Sequence, residues 1–392
     1  MKFAKKIFLF IMIFIFTIRA KAFDFEINSD KVIIINTSDN ITLFEKNSND
    51  KTSIASLTKI ITAITVLDNV DSLNDEVTIT YNMLTGLDGY AKVGFKVGDK
   101  VTVEELLYAL MLPSGADAAQ ALAIYTSGSL DGFVVLMNEE IEKIGVSNSH
   151  FSNPVGMDDE SNYSCAKDLS IILKYSLNNE VFKEIFESSE FYIKALRKNV
   201  KKTTVNTSNL YNLDTSMIKG SKTGWTTDAG MCLSSTATLN GTDYILIVLN
   251  AKENSLDHFT DTINIYNYYK NHYGYKTIIE KGDLLYTLDV KDSKQKSYEI
   301  LSQEDVTLYL ENVVSKDNVK ISFTGIEYID NKFKLGDYLG TINVSYEDNL
   351  IYSVDVYLNE NIKFYNYKLY IFMGCGLALL ITLAFIIKIK KH

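Results

Sequence analysis

The chain has 392 residues, of which 46% are hydrophobic and 22% charged, so it can bury a large core and is not a disordered chain. Its net charge is −10, which argues against a nucleic-acid partner. The three cysteines lie far apart and the four histidines have no metal-ligand spacing. No disulfide framework, metal or other cofactor is therefore expected.

The N-terminus has the pattern of an export signal. Lys2, Lys5 and Lys6 precede the apolar run Ile7 to Ile18, and Ala20-Lys21-Ala22 has small residues where signal peptidase reads the chain. The pattern predicts a signal peptide over residues 1–22, with an uncleaved N-terminal anchor as the alternative. Either predicts a protein that is exported from the cytoplasm.

The next 250 or so residues, 23–275, predict strands at both ends and helices between them. The predicted strands are Val32 to Ile35, Ile41 to Phe44, Lys222 to Trp225, Gly230 to Thr238 and Asp243 to Ala251. The predicted helices are Leu57 to Leu67, Val103 to Leu112, Asp117 to Tyr125, Phe133 to Ile144, Asp168 to Leu177 and Asp257 to Tyr269. Helices between an early hairpin and a late meander indicate an α+β domain, in which helices flank one antiparallel sheet formed by both chain ends.

The last part of the chain predicts a small domain and an anchor. Short alternating strands over residues 276–363 indicate a small all-β domain. The apolar run Leu369 to Ile387, followed by Lys388, Lys390 and Lys391, indicates a C-terminal transmembrane helix with a short cytoplasmic tail within residues 364–392. The expected protein crosses the cell membrane once and holds its folded domains outside the cytoplasm.

Ser56-Leu57-Thr58-Lys59 matches the motif S-x-x-K, the nucleophile motif of penicillin-binding proteins and class A β-lactamases. The same spacing recurs at Ser48/Lys51, Ser164/Lys167, Ser216/Lys219 and Ser293/Lys296. Ser56 is singled out because an apolar helix begins at Leu57, which brings residues three apart onto one face. Burial in that helix lowers the pKa of Lys59, so that the neutral amine can accept the Ser56 proton.

Two further segments carry candidate site residues. Lys222-Thr223-Gly224 begins a predicted strand, and its glycine permits the close approach of a peptide that pairs as an added strand. Lys222 would attract a substrate carboxylate and lower the pKa of Lys59 further. Ser114, in the loop after Pro113, is explained adequately as a helix cap. It could also point into a cleft and relay a proton from Lys59 to a departing amine.

Together these residues resemble the low-molecular-mass penicillin-binding proteins, the D-alanyl-D-alanine carboxypeptidases of the S11 serine peptidases. The resemblance covers nearly the whole mature chain. It is carried by four segments, Ser53 to Ala63, Glu104 to Gly115, Phe151 to Asp159 and Lys222 to Thr226, and by the β-rich region beyond Lys276. It implies a serine β-lactamase/penicillin-binding transpeptidase-like fold, with a catalytic serine peptidase domain over residues 23–275.

The resemblance also implies an activity and its partners. Ser56 would be acylated by the penultimate D-alanine of peptidoglycan stem peptides, the terminal D-alanine would leave, and β-lactams would inhibit by acylating the same serine. Lys59 and Ser114 would be catalytic, and Lys222, Thr223, Gly224 and Trp225 would bind substrate. The backbone N–H groups of Ser56 and Trp225 would form the oxyanion hole.

Two positions depart from the family pattern. Ala116 stands where the family usually has an asparagine that contacts substrate. His258 stands where it tends to have an arginine for the terminal carboxylate, so that recognition would depend more on Lys222 and Thr223.

Three other functions stay open at this point. A class A β-lactamase would need an E-x-x-L-N loop, which is absent between Ala116 and Lys222. The protein could instead be a catalytically weakened penicillin-binding or cell-wall-binding protein, in which Ala116 marks the loss of a catalytic-site residue. Endopeptidase cleavage of cross-links would use the same machinery with a different leaving group.

Overall fold

The computed structural model of the protein describes residues 23–365 and 367–389. The predicted signal peptide and the lysines at 390 and 391 lie outside these residues. The described chain divides into two compact units, one ending at Asn271 and the next beginning at His272. Each has a hydrophobic core of its own.

The first unit contains nine strands and eight helices among its described residues. Its strands are β1 (Lys31–Asn36), β2 (Ile41–Lys46), β3 (Glu76–Thr78), β4 (Lys100–Thr102), β5 (Glu190–Ile193), β6 (Lys198–Lys201), β7 (Gly220–Thr226), β8 (Gly230–Leu239) and β9 (Thr242–Ala251). Its helices are α1 (Thr58–Asn69), α2 (Val103–Met111), α3 (Ala116–Ser127), α4 (Leu130–Ile144), α5 (Ala166–Ser176), α6 (Glu180–Glu187), α7 (Thr203–Tyr211) and α8 (Asp257–His272). Short 3-10 turns lie at Ala55–Leu57 and Tyr81–Leu84.

The main sheet has five antiparallel strands in the order β2-β1-β9-β8-β7. The early hairpin and the late meander therefore share one sheet, which confirms the predicted α+β architecture. The β8–β9 turn is formed by Asn240 and Gly241, both with positive φ, as an Asn-Gly hairpin requires. Strand β7 lies at the edge of the sheet, and no other described strand pairs with its outer side.

Helix α1 is enclosed on all sides over its first nine residues. Every residue from Thr58 to Val66 is buried, in agreement with a sequence that has apolar residues on nearly all faces. Helix α2 begins as predicted with a capping box, in which Thr102 Oγ1 accepts from the Glu105 N–H and Glu105 accepts from the Thr102 N–H. Helix α2 therefore begins at a fixed residue and leads directly to the loop that carries Ser114.

The second unit is all-β up to its last helix. Its strands are β10 (Tyr273–Ile279), β11 (Leu284–Val290), β12 (Ser297–Leu301), β13 (Val306–Glu311), β14 (Lys320–Gly325), β15 (Tyr328–Ile329), β16 (Tyr338–Tyr346) and β17 (Asn349–Tyr357), and helix α9 spans Tyr367–Ile389. The predicted transmembrane helix is not supported, because no helix among the described residues is both long enough and apolar enough to span a bilayer.

The cysteines are free thiols in two different environments. Cys165 and Cys232 are completely buried, whereas Cys375 in α9 is exposed. Burial raises the pKa of Cys165 to about 11 and that of Cys232 to about 12. The two buried cysteines are therefore protonated at neutral pH.

Candidate active site

Ser56 lies in a tight turn at the start of α1. The turn is the 3-10 segment Ala55–Leu57, and Ala55 has a φ of 49°, a left-handed conformation that is uncommon for alanine. Gly156 packs directly against this turn, and a Cβ on Gly156 would lie only 2.0 Å from the Ala55 carbonyl oxygen. Only a glycine fits there, which holds the backbone of the Ser56 turn in one place.

Ser56 and Lys59 are in hydrogen-bond contact. Lys59 Nζ lies 2.9 Å from Ser56 Oγ and donates a second hydrogen bond to the Val155 carbonyl at 2.6 Å. In the described chain, none of the four other S-x-x-K matches shows a hydrogen bond between its serine hydroxyl and its lysine amine. The apolar helix that follows Ser56 therefore correctly distinguished this S-x-x-K match from the other four.

Burial sets the protonation of Lys59. The side chain is 1% exposed, and desolvation lowers the pKa of Lys59 to about 7, although the nearby Asp117 carboxylate opposes the shift. The sequence predicted both the direction and this cause. A neutral Lys59 amine can donate to the Val155 carbonyl and still accept the proton of Ser56.

Ser114 and Lys222 form the second contact of the site. Lys222 Nζ donates to Ser114 Oγ at 2.9 Å and to the Thr223 carbonyl at 2.8 Å. Ser114 has a φ of 65°, a conformation that costs free energy in a residue other than glycine and is concentrated at functional sites. Lys222 is buried, and desolvation, followed by the charges of Lys59 and Lys202, lowers its pKa well below the ordinary value.

Edge strand β7 connects the two contacts. A Cβ on Gly224 would lie 3.0 Å from the backbone nitrogen of Ser56, so the strand passes directly beside the nucleophile turn. Thr223 is half-buried and Trp225 is half-exposed. The structure therefore brings Ser56, Lys59, Ser114 and Lys222 around one cleft, although they lie far apart in sequence.

Four groups that support the site did not emerge as site residues from the sequence. The Val155 carbonyl accepts from Lys59, and Asp117 accepts backbone N–H groups of residues 93, 94 and 95 at 2.9, 2.8 and 3.3 Å. Asp158 accepts from two hydroxyls, and Lys202 is a third buried lysine, with its pKa lowered to about 7 by desolvation. Val155 and Asp158 lie in the segment 151–159 that the resemblance indicated, but a backbone carbonyl has no sequence signature.

The two departures from the family pattern have clear structural consequences. Ala116 is completely buried at the start of α3, and its N–H donates to the Ala91 carbonyl at 2.7 Å. His258 is 1% exposed, and burial lowers its pKa to about 4. His258 is therefore neutral at physiological pH and supplies no cation for a carboxylate.

A cavity of about 520 Å³ opens beside the nucleophile turn. Its lining residues are Lys51, Thr52, Ser53, Asp159, Glu160, Asn162, Tyr163 and Asp228. Ser53 lies three residues before Ser56, and Asp228 lies two residues after the end of β7. The cavity can therefore accommodate a chain that extends beyond the end of β7.

The sheet, the helices and the serine beside two buried lysines define a serine acyl-transfer enzyme of the penicillin-binding protein and β-lactamase type. Residues 17–253 match the family model described as D-alanyl-D-alanine carboxypeptidase, and residues 273–363 match that of the penicillin-binding protein 5 C-terminal domain. The chain belongs to this family, the S11 D-alanyl-D-alanine carboxypeptidases, and is thus a serine hydrolase.

Individual relatives agree with this assignment. D-alanyl-D-alanine carboxypeptidase DacF of Bacillus subtilis is 28% identical over 82% of this chain and 82% of its own length. The structure of the Streptomyces K15 DD-transpeptidase superposes with a TM-score of 0.58 at 30% identity, covering 63% of this chain and 98% of that one. The structure of the carboxypeptidase DacD from Francisella tularensis shares the fold over 88% of this chain and 96% of that one, with a TM-score of 0.70 at 20% identity.

Proposed function

We propose that this protein removes the terminal D-alanine from peptidoglycan stem peptides through an acyl-enzyme on Ser56. The observation that carries the proposal is the 2.9 Å contact between Ser56 Oγ and the buried Lys59 amine. A serine hydroxyl is a weak nucleophile until a base takes its proton, and a lysine with a pKa of about 7 is such a base at neutral pH.

Acylation begins with attack of Ser56 Oγ on the carbonyl carbon of the penultimate D-alanine, while the hydroxyl proton passes to Lys59. The carbonyl oxygen becomes an oxyanion, which the N–H groups of Ser56 and Trp225 stabilise. The peptide C–N bond then breaks, and the proton returns through Ser114 to the departing amine of the terminal D-alanine. A water molecule then hydrolyses the ester, which regenerates Ser56 and releases the shortened peptide.

Substrate recognition follows from edge strand β7. A stem peptide can pair with the strand as an added strand, with its terminal carboxylate at Lys222 and Thr223 and its other end towards the cavity of about 520 Å³. Burial, followed by the charges of Lys59 and Lys202, lowers the pKa of Lys222 when the cleft is empty. A bound carboxylate favours its protonated form again, so substrate binding and proton uptake by Lys222 are coupled.

The test is acylation by a fluorescent penicillin, followed by mapping of the adduct and by an assay of D-alanine release. We expect the label on Ser56, and both the label and release to fall by at least ~10³-fold in Ser56→Ala. Release that persists in Ser56→Ala would refute the proposal. Labelling without any release would instead support the alternative of a weakened penicillin-binding protein, and fast turnover of penicillin would support a β-lactamase.

We further propose that the protein acts outside the cytoplasm, where the stem peptides of the cell wall lie. Protease added to intact cells from which the wall has been removed should then degrade the folded units. Protection of both units until the cells are lysed would contradict this location.

A further inference from the structure

We infer that Asp158 is a positioning residue that holds the two sides of the oxyanion hole together. The inference rests on the proposed acylation of Ser56 and goes beyond it, since the side-chain hydrogen bonds of Asp158 join it to Ser53 and Thr226 and not to Ser56. It is carried by a pair of hydrogen bonds that meet at one oxygen atom.

The Asp158 carboxylate connects the two chain segments that supply the oxyanion donors. Its Oδ1 accepts from Ser53 Oγ at 2.8 Å and from Thr226 Oγ1 at 2.6 Å. Ser53 stands three residues before Ser56, and Thr226 directly follows Trp225 at the end of β7. One ionised oxygen thus joins the nucleophile turn to the edge strand, and hydrogen bonds to an ionised acceptor are the stronger kind.

Thr226 extends this connection into the sheet. Its Oγ1 also accepts from the Ala229 N–H at 3.1 Å, and the Ala229 carbonyl accepts from Asn250 Nδ2 at 2.7 Å. The turn after β7 is therefore fixed to the end of β9 as well as to Asp158. Without the carboxylate, the Thr226 hydroxyl would keep only its bond to this turn.

The loop that carries Asp158 also supports the base. Asn153 Oδ1 accepts from three successive N–H groups, of residues 155, 156 and 157, at 3.2, 2.8 and 2.9 Å. This arrangement fixes the Val155 carbonyl, which accepts from Lys59, and places Gly156 against Ala55. Asp158 is thus the point at which a rigid loop is joined to both walls of the cleft.

The spacing at the cleft leaves little tolerance. Gly224 approaches the Ser56 backbone so closely that even a Cβ would lie 3.0 Å from the Ser56 nitrogen. A small drift of β7 away from the turn would therefore misplace the Trp225 N–H relative to the Ser56 N–H. A misplacement of about 1 Å at a reacting centre can cost roughly 10²-fold in rate.

The experiment compares kcat and KM for D-alanine release, and the penicillin acylation rate, in the full chain. Asp158→Ala should lower kcat and the acylation rate by about 10- to 100-fold, with KM within about threefold, because the oxyanion forms only in the transition state. Asp158→Asn keeps a carbonyl oxygen that can accept both hydroxyls, so it should stay within about threefold of the original protein. Asp214→Ala is the matched control, since Asp214 is exposed and accepts from the Ser216 N–H within its own loop, and it should change neither constant.

A second pair of variants protects the test against misfolding of Asp158→Ala. Ser53→Ala and Thr226→Val each remove one of the two hydrogen bonds, and each should lower kcat less than Asp158→Ala does. Adding Ser53→Ala to Asp158→Ala should cost nothing more, because the partner is already gone. The inference is overturned if Asp158→Ala or Thr226→Val keeps kcat within about twofold, if the loss falls on KM, or if Asp158→Asn falls as far as Asp158→Ala. In all these cases an active original protein that loses activity in Ser56→Ala would leave the proposed function intact.

Discussion

At the scale of single residues, the chemistry depends on two of the buried lysines. Lys59 and Lys222 are both nearly inaccessible to water, and burial is the main reason why the pKa of each is lowered. The sequence predicted that the charge of Lys222 would lower the pKa of Lys59. In the structure, the pKa of Lys59 is lowered by the desolvation of Lys59 itself. The charge of Lys59, in turn, contributes to lowering the pKa of Lys222.

The pH dependence of acylation follows from Lys59. The base must be neutral to accept the Ser56 proton, and the pKa of Lys59 lies at about 7. The penicillin acylation rate should therefore rise about tenfold per pH unit below 7 and level off above it. Lys59→Arg should lose activity at every pH, because a guanidinium stays protonated. An acylation rate that is independent of pH between 5 and 8 would contradict this role of Lys59. As a control, Lys100→Arg on the surface should have the same acylation rate as the original protein.

At the scale of elements, the contact between the loop 151–162 and the nucleophile turn is the critical one. Gly156 and Gly145 have nearly equal φ values, +85° and +86°, but only Gly156 has neighbours where a Cβ would be. Gly145→Ala should therefore cost only the left-handed strain, about 1–2 kcal/mol of unfolding free energy.

Gly156→Ala should cost more, about 2–5 kcal/mol, because the strain adds to the overlap with the Ala55 carbonyl. It should also slow penicillin acylation, whereas Gly145→Ala should leave the acylation rate unchanged. Urea unfolding and acylation kinetics of the two variants check both statements. Equal stabilities, or a slow Gly145→Ala variant, would count against the packing argument.

The sequence predicted the elements better than it predicted their contacts. Periodicity and capping indicated α1, α2, the early hairpin and the β8–β9 turn, because each depends on residues close in sequence. Helices α6 and α7 and the hairpin β5–β6 were not predicted. Predicting the site residues other than Ser56 and Lys59 required the family resemblance, because the Ser114–Lys222 contact joins positions that are 108 residues apart in sequence. The roles of the Val155 carbonyl and Asp158 could not be read at all, because they follow from how one loop folds against two other segments.

At the scale of the whole molecule, the described site residues all lie in the first unit. The two hydrophobic cores share no residue, and 63% of this chain covers 98% of the Streptomyces K15 DD-transpeptidase structure. Residues 23–272 produced alone should therefore fold and acylate with penicillin within about twofold of the rate of the full chain. A truncated protein that is folded by circular dichroism but inactive would show that the second unit contributes to catalysis.

The completely buried Cys165 and Cys232 can report local unfolding of the first unit. An alkylating reagent reacts with thiolates, and neither Cys165 nor Cys232 forms an accessible thiolate while the first unit is folded. The exposed Cys375 should react immediately, so its reaction rate serves as the reference within the same molecule. The slower modification of Cys165 and Cys232, followed by mass spectrometry after timed pulses of reagent, would measure the rate of local unfolding in the first unit. Cys232 pairs in register with Gly224, so its modification would report loosening of the strand beside the nucleophile without any engineered probe.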